Sequence, residues 1–98
     1  MQDRDDLVVE SFEWDERNLP HAGRHGVSPD VADDVLSVDP RFYRNKEGMA
    51  GTHMMIGPDW TGRYWTIIIR PSENLDVWRP ITGWPSDRRE IRRYDGVE

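Results

Sequence analysis

The run Arg63-Tyr64-Trp65-Thr66-Ile67-Ile68-Ile69-Arg70 constrains the fold more than any other segment. It is dense in aromatic and β-branched side chains, which suit the pleated backbone of a strand. Its three consecutive isoleucines leave no polar face, so the strand reads as a central one covered on both sides. A chain built around it needs further strands and helices that flank the sheet.

The neighbouring segments supply them. Residues 52–56 and 75–82 read as strands, set off by the turn signals Gly57-Pro58-Asp59 with Gly62 and Pro71-Ser72-Glu73-Asn74. With the central run they make a three-stranded antiparallel meander, which Gly83-Trp84-Pro85 is expected to break. Residues 7–14 read as a first strand, and residues 41–51 as a charged loop with a short extended piece at Phe42-Tyr43. Ser28 as N-cap, Pro29 at the first helical position and the stripe Val31, Ala32, Val35, Leu36 predict a helix over residues 28–37. Asp15 is placed to cap an earlier helix, which Pro20 shortens, kinks or delays and Gly26 stops. Asp87 and Glu90 open a last helix to about Tyr94, with Ile91, Tyr94 and Val97 facing inward and Arg88, Arg89, Arg92 and Arg93 covering the rest. The expected class is α+β: an N-terminal strand and two helices, the meander completing one sheet, and a C-terminal helix.

Ninety-eight residues make one domain. It is expected over residues 7–95, with a disordered charged tail at 1–6 and a short tail at 96–98. Five tryptophans support a compact core despite an apolar share of 36%. The absence of cysteine excludes disulfides, thiolate metal sites and a cysteine nucleophile, and fits a reducing cytosol. No apolar run approaches the roughly 20 residues that span a bilayer, and the acidic start does not open a signal peptide, so a cytoplasmic protein without membrane contact is expected. The net charge of −6 is unevenly spread. Residues 1–39 hold eleven Asp/Glu against three Arg, a net of −8, whereas residues 40–98 hold ten Lys/Arg against eight acids, a net of +2. Such a two-sided chain suits one anionic flank and one flank that meets phosphates or an acidic partner; it also serves plain solubility.

Several motifs stand in order along the chain. They are Phe12-Glu13-Trp14-Asp15-Glu16, then His21-Ala22-Gly23-Arg24-His25-Gly26-Val27-Ser28-Pro29-Asp30, then the acidic helix Val31-Ala32-Asp33-Asp34-Val35-Leu36. Gly62-Arg63-Tyr64, Arg79 before Ile81-Thr82, and Arg88-Arg89-Glu90 with Tyr94 follow. From about Phe12 to Tyr94 this set resembles the BrnT-like toxins of type II toxin-antitoxin modules, which share a fold with the RelE-type ribonucleases. The resemblance implies a RelE-like domain that cleaves RNA, needs no cofactor or metal, and is held inactive by a cognate antitoxin protein. It implies promoter DNA as a partner only through the antitoxin complex. Family members usually carry Arg where Thr82-Gly83-Trp84 has Trp84, and many have a Glu-Arg or Gly-Arg pair where this chain has Gly51-Thr52. With the acidic balance, these differences point to an alternative: a catalytically degenerate toxin-fold protein acting as a protein-binding or regulatory module.

RNA cleavage without a metal needs an acceptor for the 2′-hydroxyl proton, a cation for the charged phosphorane and an acid for the leaving oxygen. Arg79 and Arg70 are the candidate catalytic cations, because the resemblance puts substrate on the sheet face in this half of the chain and guanidinium grips phosphate in a bidentate way. They read equally as strand-edge charges in surface ion pairs. Tyr94 is a candidate proton donor, or else core or rim, and His25 a candidate acid or base beside Arg24 as a phosphate contact. His21 and His25 share a face if one helix runs through both, but no third zinc ligand is apparent, and capping the helix end is the plainer task for His25. Arg88 and Arg92, with Arg89 and Arg93, offer RNA or an acidic antitoxin segment a basic helical face, which Glu90 and Asp95 can also simply balance. Trp14, Trp65 and Trp78 read as core, whereas Trp60 and Trp84 read as exposed and suited to stack on RNA or meet a partner.

Overall fold

The computed structural model describes residues 4–96. In chain order the elements are β1 (Arg4–Asp5), β2 (Ser11–Phe12), α1 (Asn18–Gly23), α2 (Pro29–Val38), β3 (Arg41–Arg44), β4 (His53–Pro58), β5 (Tyr64–Pro71), β6 (Val77–Pro85) and α3 (Arg88–Asp95). The strands form a six-stranded sheet in the order β1-β3-β4-β5-β6-β2, antiparallel throughout except for the parallel pair β6 and β2. The class is α+β, with a wider sheet than the strand signals predict. No helix among the described residues is long and apolar enough to cross a membrane.

The central strand behaves as its composition requires. Trp65, Ile67 and Ile69 join Ala22, Val27, Ala32, Val35, Phe42 and Met55 in one core on the side of α1 and α2. Successive strand residues point to opposite faces, so Tyr64, Thr66, Ile68 and Arg70 belong to the other face. There Tyr43, Ile56 and Tyr94 make a second cluster under α3, with Met54 and Tyr64 packed against it.

Four expectations change. The loop at 41–51 contains β3, which pairs with β4 from Arg41↔Ile56 to Arg44↔His53, so the meander has four strands. Phe42 and Tyr43 are both buried, one in each cluster, and the flanking arginines hide that alternation. Gly83-Trp84-Pro85 does not break the sheet, because Gly83, Trp84 and Pro85 pair with Ile67, Thr66 and Trp65. Gly83 serves close approach instead: a Cβ there would lie 2.8 Å from Val27 Cγ2 and 2.9 Å from the Thr66 carbonyl oxygen. Of residues 7–14 only Ser11–Phe12 are strand, parallel to Val77–Trp78. The tail expected at 1–6 is ordered in part, with Arg4–Asp5 opposite Tyr43 and Phe42, while residues 1–3 lie outside the described residues. At the other end Gly96 caps α3 at φ 77°, and Val97, expected to face inward, also lies outside them.

The helix signals are met with shifts at the ends. The Asp15 carboxylate accepts from the backbone N–H groups of Arg17 and Asn18, but α1 begins only at Asn18. Pro20 is therefore its third residue, within the turn whose N–H groups have no helical partner, where proline costs nothing. Ser28 Oγ accepts from Val31 N–H at 3.2 Å and caps α2. Asp87 and Glu90 form a complete capping box on α3.

Candidate functional site

The site begins where β5 and β6 part. Arg70, near the end of β5, stands directly opposite Arg79 on β6. Directly opposed residues share a face, here the one that carries α3. Both arginines line an open cleft of about 510 Å³ with Glu13, Asp15 and Arg17 on one side and Pro71-Ser72-Glu73-Asn74 on the other. The turn from β5 to β6 is closed by Ser72, whose hydroxyl donates to the Asn74 carbonyl, and Asp76 adopts φ 62° within it.

Like charges directly opposed across strands repel. Here Arg79 is held by two carboxylates: Nη1 donates to Glu13 Oε1 at 2.7 Å and Nη2 lies 2.9 Å from Asp15 Oδ2. Its side chain is 13% exposed, and the hydrogen bond to Glu13 above all raises its pKa further, so the cation is permanent. Asp15 is held below the ordinary carboxylate range, first by the N–H of Arg17 and then by those of Asn18 and Arg79 against the cost of burial. Arg70 is exposed and has no ion-pair partner among the described residues. The lining carries Arg17, Arg70 and Arg79 against Glu13, Asp15 and Glu73, which balances to zero with Arg70 as the open cation.

Asn18 fixes this arrangement. The side chain is buried; its amide nitrogen donates to the carbonyls of Glu13 and Pro80, both at 2.9 Å, and its oxygen accepts from Asp15 N–H at 2.7 Å. The strand end 13–15 is thereby tied to β6 beside Arg79. Glu13, Asp15 and Arg17 thus line the cleft as well as join the fold, a place that sequence reasoning missed. The isolated signals at those positions were a strand and a cap, and only parallel pairing of β2 with β6 brings them to Arg79.

No family model and no curated protein matches this chain. Of the candidate residues picked out from sequence, the cleft holds Arg70 and Arg79.

Tyr94 stacks edge-on against Tyr64 with ring centroids 5.2 Å apart. Tyr64 precedes Arg70 by six strand positions, roughly 20 Å at 3.3 Å per residue. The Tyr94 hydroxyl donates to the carbonyl and carboxylate of Asp39, and burial, then Asp39, pushes its pKa up to about 12. It is a buried tie between α3 and the end of α2, not a proton donor to the cleft. Trp84, expected to be exposed, is half-buried, and its indole N–H is shared by the two Glu90 carboxylate oxygens at 3.0 and 3.1 Å. It anchors α3 to β6. Glu90 is thus committed, and it does not balance the exposed Arg88, Arg89 and Arg92, which have no ion-pair partner among the described residues. Trp60 is exposed as expected, at 70%, on the turn between β4 and β5.

Arg24 and His25 are exposed in the turn after α1, and the His25 ring caps nothing among the described residues. Because α1 ends at Gly23, His21 and His25 do not share a helical face. Gly26 beside them packs on Trp65, on the sheet face away from Arg70. No cluster of His, Asp or Glu able to hold a metal occurs among the described residues. A further histidine was missed: His53 is 8% exposed, with Nδ1 at 2.9 Å from Thr52 Oγ1 and Nε2 at 2.8 Å from Asp5, edge-on to Trp78. It fastens β1 to the sheet.

Proposed function

We propose that the chain is the toxin of a toxin-antitoxin pair, a RelE-like endoribonuclease of the cytoplasm that draws an RNA strand into the cleft at Arg70 and Arg79. The observation that carries this reading is the opposition of these two arginines at the mouth of one cleft. A phosphodiester spans two neighbouring guanidinium groups well, and Arg70 is open to receive it. Arg88 and Arg92, on a helix capped at both ends, extend the phosphate-binding surface or meet an acidic segment of the cognate antitoxin. Promoter DNA is then reached only through the antitoxin complex.

One observation favours a second reading, a non-catalytic module that binds its partner protein. Glu13 and Asp15 neutralise Arg79, and the cleft as a whole carries no net charge. Induction of the gene alone in a bacterial host separates the two. The enzyme reading expects growth arrest and degraded message, both relieved by Arg70→Ala. Unimpaired growth with full-length RNA overturns it and leaves the binding module.

A further inference from the structure

Glu13 and Asp15 both hold Arg79, but they are not equivalent. In Asp15, Oδ1 accepts from the N–H groups of Arg17 and Asn18 at 2.8 and 3.3 Å while Oδ2 faces Arg79. Both of its oxygens are committed. Glu13 meets Arg79 through Oε1 alone, and Oε2 has no hydrogen-bond partner among the described residues. Its backbone is fixed on either side, the N–H by the Trp78 carbonyl at 2.8 Å and the carbonyl by Asn18 at 2.9 Å. The side chain is 39% exposed, on the cleft. One carboxylate oxygen with free lone pairs is thus held beside a guanidinium, with Arg70 opposite. A general base needs a fixed direction and an open acceptor within reach of the proton, and the nearby cations steady the charge that develops on the phosphate.

We propose that Glu13 is the proton acceptor of the cleft and that Arg79 is the positioning residue that aims it. The inference rests on the RNA-cleaving reading and names the group on which that chemistry turns. With the scissile phosphate on Arg70, Glu13 Oε2 takes the proton of the adjacent ribose 2′-hydroxyl as the 2′-oxygen bonds to phosphorus. The bond from phosphorus to the 5′-oxygen breaks, and that oxygen takes a proton from water. The products are a 2′,3′-cyclic phosphate and a 5′-hydroxyl, and Glu13 gives its proton to the hydroxide left behind. Asp15, with both oxygens engaged, holds Arg79 and the loop but takes no proton.

The test compares the full chain with Glu13→Gln and Asp15→Asn on a short single-stranded RNA and its fully 2′-deoxy counterpart. Glutamine keeps an oxygen for Arg79 and removes the base, so the fold and thermal melt should hold. Glu13→Gln is expected to lower cleavage by about 100-fold or more with RNA affinity within about threefold of wild type. Asp15→Asn loosens Arg79 but leaves the acceptor in place, so it is expected to lower cleavage less than Glu13→Gln does, and the deoxy strand is expected to bind uncut. Two outcomes overturn the role of Glu13 yet leave the RNA-cleaving reading standing: unchanged cleavage in Glu13→Gln, or cleavage of the deoxy strand. Wild type that binds RNA without cutting it, or fails to bind it, overturns the RNA-cleaving reading and the acceptor with it.

Discussion

Arg70 and Arg79 are cross-strand neighbours of like charge, and only Arg79 is clamped by carboxylates. The two arginines therefore differ in what their loss should do. Arg70→Ala removes an open cation and a repelling neighbour, so stability should stay within about 0.5 kcal/mol of wild type. If Arg70 contacts an RNA phosphate, the slope of log affinity against log salt concentration should fall by about 0.7. Arg79→Ala leaves Glu13 and Asp15 without their shared donor and should cost about 1–3 kcal/mol with a smaller change in salt slope. Denaturant melts and RNA titrations at several salt concentrations check both, and equal slope changes from the two variants would contradict the difference drawn between them.

Packing explains both Gly83 and Trp84. The Trp84 N–H binds Glu90, which also closes the α3 capping box, so Trp84→Phe should lower stability by about 0.5–1.5 kcal/mol and leave RNA affinity unchanged. Gly83→Ala sets a methyl group against the Thr66 carbonyl and Val27 and should cost about 1–3 kcal/mol. Melting curves and RNA titrations read both substitutions. A Trp84→Phe variant of full stability and weakened RNA affinity would make Trp84 a ligand contact instead of an anchor.

The central strand, the Ser28-Pro29 helix and the Asp87/Glu90 box were legible in the sequence because each is fixed by local chemistry: β-branched packing, a side-chain cap, a reciprocal cap. β1 was not legible, β2 was read too long as residues 7–14 and β3 only as an extended piece at Phe42-Tyr43, since two to four residues leave too short a period to read and their pairing is decided by distant partners. The cleft was half legible. Arg70 and Arg79 could be picked out as cations on strands, but Glu13 and Asp15 reach Arg79 only through the parallel contact of β2 with β6 and the buried Asn18, and neither leaves a local mark. Tyr94 is core, as one of its two readings had it, whereas Trp84 misled for the opposite reason: a polar tip on an aromatic ring suggests a ligand contact, while here both tips are hydrogen-bonded inside the fold.

Tyr94 gives this last point a pH signature. Its pKa is raised from 10.0 to about 12, chiefly because burial opposes the phenolate and secondly because Asp39 accepts its proton. The folded state thus holds the proton more tightly than the unfolded chain does. The sign follows: the stabilisation is fully present below pH 10 and is lost as pH rises through 10 towards 12. Absorbance titration at tyrosine wavelengths should show Tyr94 ionising late, together with loss of tertiary structure. Tyr94→Phe should remove that late step and cost about 1 kcal/mol at neutral pH through the lost bonds to Asp39. RNA cleavage at neutral pH should survive in the same variant, because the hydroxyl sits far along the sheet from Arg70. A late step that persists in Tyr94→Phe would assign it to another tyrosine, and a collapse of cleavage with the fold intact would return Tyr94 to the catalytic chemistry.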